Sequence, residues 1–332
     1  MSQISSESSS ASASSSGQSS GQSRGQSHPP RSPLSWLSAF WKFCRPHTII
    51  GTSLSVLGIG VIAWARTNQE VPYEFLLLMV PALIACLCGN VYIVGLNQIE
   101  DVEIDRINKP HLPIASGEFS RRLGWAIVLT SGILALVLSA GSGLFLMATV
   151  WISLLIGTAY SLPPIRLKRF PVWASLCIFS VRGAIVNLGL FLHFNQKLGE
   201  PPQIPATVWA LTLFVLVFTF AIAIFKDIPD LEGDRLYHIT TFTVKLGQRS
   251  VFNLARWVLT VCYGGMVAAG LVISGVNSAF VVGWHLVALI LLWATSLKVN
   301  LQDQKAIAQF YQFIWKLFYL EYILFPLACY LA

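Results

Sequence analysis

The chain has 332 residues, of which 55% are hydrophobic and only 11% are charged. Soluble domains carry roughly a quarter charged residues, so this composition excludes a soluble globular enzyme, and it equally excludes a wholly disordered chain. The net charge of +7 fits a membrane protein whose basic loops set its orientation, provided that the hydrophobic residues form runs of about 20, the length that spans a bilayer.

The first 35 residues differ from the rest, since sixteen of them are serine and many others are glycine, glutamine or proline. Such a segment buries too little apolar surface to become ordered. Residues 1–35 are therefore predicted to be a disordered tail, followed by a transmembrane domain over 36–332. The tail has no apolar stretch of the secretory-signal type, and its composition fits either a plastid transit peptide or a cytosolic extension.

Nine apolar runs follow, and each is predicted to be a membrane-spanning helix, because a helix satisfies its own backbone hydrogen bonds in lipid. The runs cover residues 48–65, 74–97, 122–141, 143–160, 173–194, 206–225, 253–274, 278–296 and 312–331. The third and fourth runs are separated only by a Gly-Ser-Gly break at 141–143. These two helices should therefore be antiparallel neighbours.

Lysine and arginine are concentrated at one end of this predicted bundle. They precede the first span and follow spans 2, 4, 6 and 8, whereas the loops after spans 1 and 5 hold only Arg66 and Lys197 and those after spans 3 and 7 hold none. Basic loops remain on the cytoplasmic side of a membrane. We therefore expect the N-terminus on the cytoplasmic or stromal side and the C-terminus on the opposite side.

Eight of the fifteen acidic residues lie in two clusters that repeat each other at an offset of 129 residues. Asp101 aligns with Asp230 and Asp105 with Asp234, and each pair follows an even-numbered span. We call residues 97–105 the first acidic cluster and residues 226–234 the second acidic cluster. This internal repeat predicts two equivalent half-sites that face one cavity.

The four-residue spacing within each cluster predicts metal binding, because residues four apart lie on one face of a helix. Oxygen ligands without His or Cys favour a hard ion, and Mg²⁺ completes its shell with water and substrate phosphates. The alternative is that these are solvated loop charges, which two matching clusters make less attractive. The predicted magnesium ligands are Asn97, Asp101, Asp105, Asp227, Asp230 and Asp234, with the four repeated aspartates central to catalysis.

Basic and polar residues near the clusters are predicted to bind a diphosphate. In the loop after span 4, Pro163 and Pro164 end the helix and three cations follow. Arginine suits bidentate phosphate contacts, and lysine acts as a point charge. The alternatives are a loop that only sets topology or one that contacts anionic lipid. The predicted diphosphate-binding residues are Arg106, Lys109, Tyr160, Arg166, Lys168, Arg169 and Lys226.

Taken together, these motifs resemble those of the UbiA superfamily of intramembrane aromatic prenyltransferases, over residues 36–331. The repeated spacing Asn97-x3-Asp101-x3-Asp105 and Asp230-x3-Asp234 carries the resemblance. It implies an all-α polytopic membrane protein with nine transmembrane helices around a central cavity, Mg²⁺-dependent prenyl transfer, and a lateral opening for the lipid tail.

Further stretches resemble the homogentisate prenyltransferases of this superfamily, namely residues 45–52, 97–98, 107–110, 157–169, 186–190 and 225–234. This resemblance implies phytyl diphosphate as donor and homogentisate as acceptor, with decarboxylation to 2-methyl-6-phytylbenzoquinol in tocopherol biosynthesis. Geranylgeranyl or solanesyl donors are alternatives. A cyanobacterial membrane is favoured over a plastid membrane. The candidates for binding the aromatic acceptor are Arg45, His47, Arg182 and Asn187.

Two other functions stay open at this point. One is a UbiA-type enzyme with another acceptor, such as 4-hydroxybenzoate, a naphthoate or chlorophyllide. The other is an ion-coupled transporter that uses the acidic clusters as an ion path. Transporter sites lie near the bilayer midplane, whereas these carboxylates lie at helix ends on one side, which favours a phosphate substrate.

Overall fold

A computed structural model describes residues 32–67, 73–236 and 241–332, with the side chains of residues 74, 171 and 232–234 outside that description. Within these ranges the chain is helical. The helices are α1 (Pro33–Phe43), α2 (Pro46–Ala65), α3 (Tyr73–Glu100), α4 (Val102–Asn108), α5 (Pro113–Ser116), α6 (Arg121–Ser142), α7 (Leu144–Ser161), α8 (Pro171–Phe179), α9 (Val186–Lys197), α10 (Ala206–Phe225), α11 (Leu231–Leu236), α12 (Phe242–Leu246), α13 (Gln248–Val272), α14 (Ser278–Ser296) and α15 (Gln304–Tyr330).

Helix α1 begins within the last residues assigned to the tail. Ser32 caps it by accepting a hydrogen bond from the backbone N–H of Ser35, and Pro33 occupies the first helical position, a favourable place for proline. Residues 1–31, which make up most of the predicted tail, lie outside the described residues.

The described residues contain nine helical stretches that are long and apolar enough to cross a membrane. They are Pro46–Ala65, Phe75–Glu100, Arg121–Ser142, Leu144–Ser161, Val172–Lys197, Ala206–Phe225, Gln248–Val272, Ser278–Ser296 and Gln304–Tyr330. The predicted all-α class with nine spans is confirmed. The largest difference between the predicted and observed bounds is in the last span, which begins at 304 rather than 312. The side chain of Asp303 accepts a hydrogen bond from the backbone N–H of Lys305 and so caps a helix that extends beyond its apolar run.

A cavity of about 280 Å³ lies between six of these spans: α2, α3, α7, the α8–α9 span, α10 and α15. The other three spans support this wall from outside. Helix α6 packs on α3 and α7, α13 packs on α10, and α14 packs on α13 and α15. The predicted central cavity is therefore present, and two thirds of the spans form its wall.

The joint between α6 and α7 consists of a single residue, Gly143, with φ of 124°. A positive φ of this size is open to glycine and costly for other residues. The two helices contact each other along the bundle, so the predicted antiparallel pair is confirmed.

The fifth span contains a π-helical segment, Ser180–Ile185, between α8 and α9. Such segments are rare in proteins, and those that occur are often found at functional sites. Gly183 lies in this segment against α10, where a Cβ atom would come 2.6 Å from the Cα of Leu216. The close approach of the two backbones therefore depends on the absence of a side chain at Gly183.

We expect Gly183→Ala to destabilise the protein by about 1–3 kcal/mol, the usual cost of overpacking. The measurement is thermal unfolding of the purified protein in detergent. Gly141→Ala is the matched control, because a Cβ at this helical position meets no atom within 4 Å. Equal unfolding temperatures for the two variants would contradict the close contact between the π-helical segment and α10.

Candidate active site

The first acidic cluster lies at the break between α3 and α4, where Asp101 has φ −107° and ψ 18°. The backbone N–H of Asp101 donates to the carbonyl of Asn97 at 3.0 Å, and that of Asp105 donates to the carbonyl of Asp101 at 2.8 Å. The helical spacing therefore continues across the break. The Nδ2 of Asn97 also donates to Oδ2 of Asp101 at 2.9 Å. The predicted ladder therefore runs from the end of α3 into α4, with Asp101 as the residue that joins the two helices.

The second acidic cluster begins in the turns after α10, and Asp230 directly precedes α11, the helix that contains Asp234. Asp227 and Asp230 lie in the turns between α10 and α11. Pro229 explains the interruption, because proline has no N–H to continue a helix and disfavours helical geometry in the residue before it. The side chain of Asp234 lies outside the described side chains.

The two acidic clusters are joined by an ion pair between Lys109 and Asp230. Lys109 follows α4, and α4 contacts α11. The predicted diphosphate ligand Lys109 thus lies between the two half-sites and neutralises one carboxylate of the second cluster. This contact ties the two half-sites together.

Two cations of the loop after α7 bind Asp101. Its Oδ1 lies 2.6 Å from Nζ of Lys168 and 3.1 Å from Nη2 of Arg166. Arg166 has φ of 41°, a conformation that few non-glycine residues adopt. Burial lowers the pKa of Lys168, and the neighbouring Asp101 acts in the opposite direction. The loop is therefore closed onto the first acidic cluster by charge.

Asp105 is the most enclosed of the described carboxylates of the site, with 5% of its surface exposed. Burial raises its pKa to about 6, although Arg45 and Lys109 act to lower it. Its Oδ2 has no hydrogen-bond partner among the described residues. A buried oxygen without a donor is costly, and a cation would satisfy it. Burial likewise raises the pKa of Asp227 to about 6, while Lys226 lowers it.

These donors fit magnesium held together with a substrate. No three Asp, Glu, His or Cys side chains in the described part of the chain converge closely enough to hold an ion alone. Magnesium in phosphate-transfer sites takes one or two carboxylates and fills its remaining positions with water and phosphate oxygens. The unpartnered oxygen of Asp105 and the all-oxygen donor set match that requirement.

Where the cavity meets the clusters, Arg45, Tyr160 and Lys226 line its wall. The Nη2 of Arg45 donates to Oδ1 of Asn97 at 3.4 Å, and Nζ of Lys226 donates to the hydroxyl of Tyr160 at 3.3 Å. Arg45 also has a positive φ, 53°, just before Pro46 starts α2. Arg45, a predicted ligand of the aromatic acceptor, therefore lines the cavity.

Two of the predicted diphosphate ligands lie on the exposed surface. Arg106 forms an ion pair with Glu103 at 2.7 Å, and the side chains of both residues are more than half exposed. Arg169 is also exposed. Neither arginine lines the cavity.

Deeper in the cavity, Arg182 is carried by the π-helical segment. Its guanidinium carbon lies 5.3 Å from the ring centre of Trp315 and 5.6 Å from that of Phe318. No carboxylate in the described part of the chain pairs with it. The ring of His47 packs on Trp315 at 4.9 Å. An unpaired cation beside aromatic rings suits an anionic aromatic ligand.

Asn187, predicted to bind the acceptor, does not line the cavity. It is fully buried, its Nδ2 donates to the carbonyl of Gly183 at 2.8 Å, and its Oδ1 accepts from the hydroxyl of Tyr322 at 2.7 Å. Both polar ends are therefore engaged within the protein. Asn187 holds the π-helical segment that carries Arg182.

Three aromatic residues of α15 were missed by the sequence analysis. Tyr311 and Trp315 line the cavity, and Tyr322 binds Asn187. Aromatic residues in a membrane span are usually packing residues, so the sequence does not single these three out. Tyr311 also lies just before residue 312, where the last span is predicted to begin. The four-residue spacing of Tyr311 and Trp315, which puts both on one helix face, is the signal that identifies them.

Comparison with known proteins identifies the class. Residues 53–317 match the UbiA prenyltransferase family, and the chain belongs to that family. It is 54% identical to a homogentisate phytyltransferase from a Synechocystis species, over 89% of this chain and 96% of that protein. It is 41% identical to homogentisate phytyltransferase 1, chloroplastic, of Arabidopsis thaliana (87% and 75% covered) and 38% identical to a homogentisate geranylgeranyltransferase of Hordeum vulgare (87% and 72%).

Among solved structures, the chain is similar to a UbiA homologue from Archaeoglobus fulgidus bound to GPP and Mg²⁺. The TM-score is 0.60 at 17% identity, and the match covers 89% of this chain and 100% of that one. At this identity the likeness establishes the fold: an all-α polytopic membrane protein of the UbiA type.

The contacts of Asp101 generate a test that is independent of activity. We expect Asp101→Asn to release the loop that holds Arg166 and Lys168, because the carboxylate is their shared partner. Trypsin should then cleave within residues 166–169 several times faster, as measured by mass spectrometry of timed digests. Glu103→Gln is the control, since its partner Arg106 is exposed. Unchanged cleavage in Asp101→Asn would show that other contacts hold the loop.

Proposed function

We propose that the protein transfers a phytyl group from phytyl diphosphate to homogentisate, with decarboxylation, to give 2-methyl-6-phytylbenzoquinol in tocopherol biosynthesis. One observation carries the proposal: two acidic clusters and their cations lie beside a cavity that reaches Asn97 and Lys226 and continues between apolar helices. This cavity contains Arg182, which pairs with no carboxylate among the described residues. The homogentisate phytyltransferases among the relatives support the choice of donor and acceptor.

The diphosphate and its magnesium would bind at the mouth. Asn97, Asp101, Asp105, Asp227, Asp230 and Asp234 are the residues proposed to hold magnesium. When bound, magnesium acts as a Lewis acid that neutralises charge on the leaving diphosphate.

The cations of the chain add fixed positive charge directed at the same oxygens, in a region largely shielded from water, where such interactions are strong. Lys109, Arg166 and Lys168 each already contact a carboxylate of the site, and Lys226 lines the cavity. Diphosphate oxygens would share these cations with Asp101 and Asp230.

The prenyl chain would lie along the apolar wall, which includes Val150, Leu154 and Ile222. This wall excludes water from the allylic carbon while positive charge develops on it. Arg182 would bind the carboxylate of homogentisate, and His47 and Trp315 would orient its ring.

The bonds change as follows. The C1–O bond of the donor breaks and its electron pair leaves on diphosphate. A ring carbon of homogentisate forms the new bond to C1 and gives up its proton. The carboxylate leaves as carbon dioxide, and the side-chain carbon takes up a proton to become the methyl group. The ring is thus aromatic again, with no net gain or loss of protons.

The alternatives are weaker. Geranylgeranyl and solanesyl donors are less favoured, because relatives with those names are 38% and 40% identical, below the 54% of the Synechocystis phytyltransferase. A transporter is not favoured, because the chain belongs to a prenyltransferase family and its carboxylates lie at one end of the bundle. We assign that end to the cytoplasmic or stromal side from its basic loops, in a cyanobacterial or plastid membrane.

The experiment that tests the proposal uses membranes containing the full chain. Homogentisate labelled in the ring or in the carboxyl group is supplied with phytyl, geranylgeranyl or solanesyl diphosphate, with magnesium or with a chelator. We expect a ring-labelled phytylated product and magnesium-dependent release of labelled carbon dioxide, fastest with phytyl diphosphate. Product only with another aromatic acid would reject homogentisate, and product without carbon dioxide release would reject the decarboxylation.

Asp230→Ala should lower prenyl transfer about 100-fold or more, because metal-assisted charge stabilisation contributes several kcal/mol to such reactions. The measurement is the initial rate at saturating substrates, with protein levels compared by immunoblot. Glu103→Gln, on the exposed side of α4, should retain activity. A fully active Asp230→Ala would remove the second acidic cluster from the mechanism.

Tyr322→Phe should raise the KM for homogentisate several-fold and leave the KM for the diphosphate unchanged. It removes the hydroxyl that binds Asn187 and so loosens the segment that positions Arg182. Arg182→Gln should have the larger effect on the same constant. Tyr330→Phe is the matched control, because Tyr330 is exposed at the far end of α15. A parallel rise in both KM values would mean that Tyr322 acts on the whole fold.

A further inference from the structure

A second cavity, of about 490 Å³, lies at the start of α13 and the end of α14, apart from the prenyl-transfer site. It is lined by Arg249, Asn253 and Arg256 on one side and by the 296–302 segment on the other. Gln248, at its edge, donates to the carbonyl of Ile228, which places the cavity at the same end of the bundle as the acidic clusters.

The lining of this cavity is cationic and contains no Asp or Glu. Arg256 is held in place by two contacts: its Nη2 donates to Oδ1 of Asn253 at 3.0 Å, and its guanidinium carbon lies 4.5 Å from the ring centre of Trp293. Its Nε is buried and has no partner among the described residues. Neither Arg249 nor Arg256 pairs with a carboxylate in the described part of the chain.

The adjacent face of α13 is apolar and exposed. Leu254, Trp257 and Val261 follow one another at spacings of three and four residues and are 39%, 56% and 69% exposed. In a membrane-spanning helix such a stripe faces lipid, and tryptophan is favoured at the height of the headgroups. The cationic cavity therefore opens beside a surface that acyl chains cover.

We propose that this cavity binds the phosphate headgroup of an anionic membrane lipid, with the acyl chains along Leu254, Trp257 and Val261. Arg256 lines the cavity with a guanidinium group that pairs with no described carboxylate, and arginine is well suited to bind a phosphate oxygen. Arg249 adds the second charge. Anionic lipids of the cytoplasmic leaflet are attracted to such basic sites. A free phosphate shares the headgroup chemistry but does not use the apolar stripe.

The test uses the purified full chain in detergent and native mass spectrometry. Phosphatidylglycerol or phosphatidylcholine of the same acyl composition is added, and retained lipid adducts are counted. We expect phosphatidylglycerol to be retained preferentially and to raise the unfolding temperature. The double variant Arg249→Gln/Arg256→Gln should lose most of that retention, by about 5-fold or more. Arg122→Gln, an exposed arginine at the same end of the bundle, is the control and should bind like the unaltered chain.

Two further arms make the test decisive. The single variant Arg249→Gln changes an exposed side chain and should reduce retention even if the double variant does not fold. Glycerol 3-phosphate replaces the lipid in the other arm and should not raise the unfolding temperature. Equal phosphatidylglycerol retention by native and variant protein would overturn the proposal. Stabilisation by glycerol 3-phosphate but not by the lipid would also overturn it, because the ligand would then be a soluble phosphate.

Discussion

The cost of partly burying carboxylates controls the arrangement of the acidic clusters at this end of the bundle. Asp101, Asp105, Asp227 and Asp230 are brought to the ends of apolar helices, where partial burial makes their charges costly. The chain compensates with its own cations: Arg166 and Lys168 on Asp101, and Lys109 on Asp230. The short helices and the loop at the mouth are therefore positioned by charge, whereas the spans beneath them are positioned by apolar packing.

The surroundings of the positive charge differ in the deeper part of the cavity. Arg182 has aromatic rings around it instead of carboxylates, and its direction is set by a hydrogen-bonded chain from Tyr322 through Asn187 to the backbone of Gly183. The mouth can thus accept a highly charged diphosphate, while the interior offers one localised positive charge among apolar walls. This separation matches a reaction that joins a lipid diphosphate to a small aromatic acid.

Much of this arrangement could be predicted from the sequence. The spans are long and apolar, and the repeated aspartates stand out because charges are scarce elsewhere. The order of helices and loops also placed Arg45 and Lys109 at the same end of the bundle as the clusters. The interruption at Pro229 and the engagement of Asn187 could not be foreseen, because a four-residue spacing does not show where a helix breaks and a polar residue in a span does not show which way it points. Tyr322 could be recognised only once its partner was known.

The pair between Lys109 and Asp230 has a thermodynamic consequence. It is an intramolecular contact, so for a ligand that competes with Lys109 for Asp230, the affinity for that ligand and the closure of α4 against α11 are coupled in both directions. Whatever draws Asp230 away from Lys109 loosens the junction between the two halves, and whatever pulls the halves apart frees Asp230 for its ligand. Lys109 therefore links the occupancy of Asp230 to the relative position of the two half-sites.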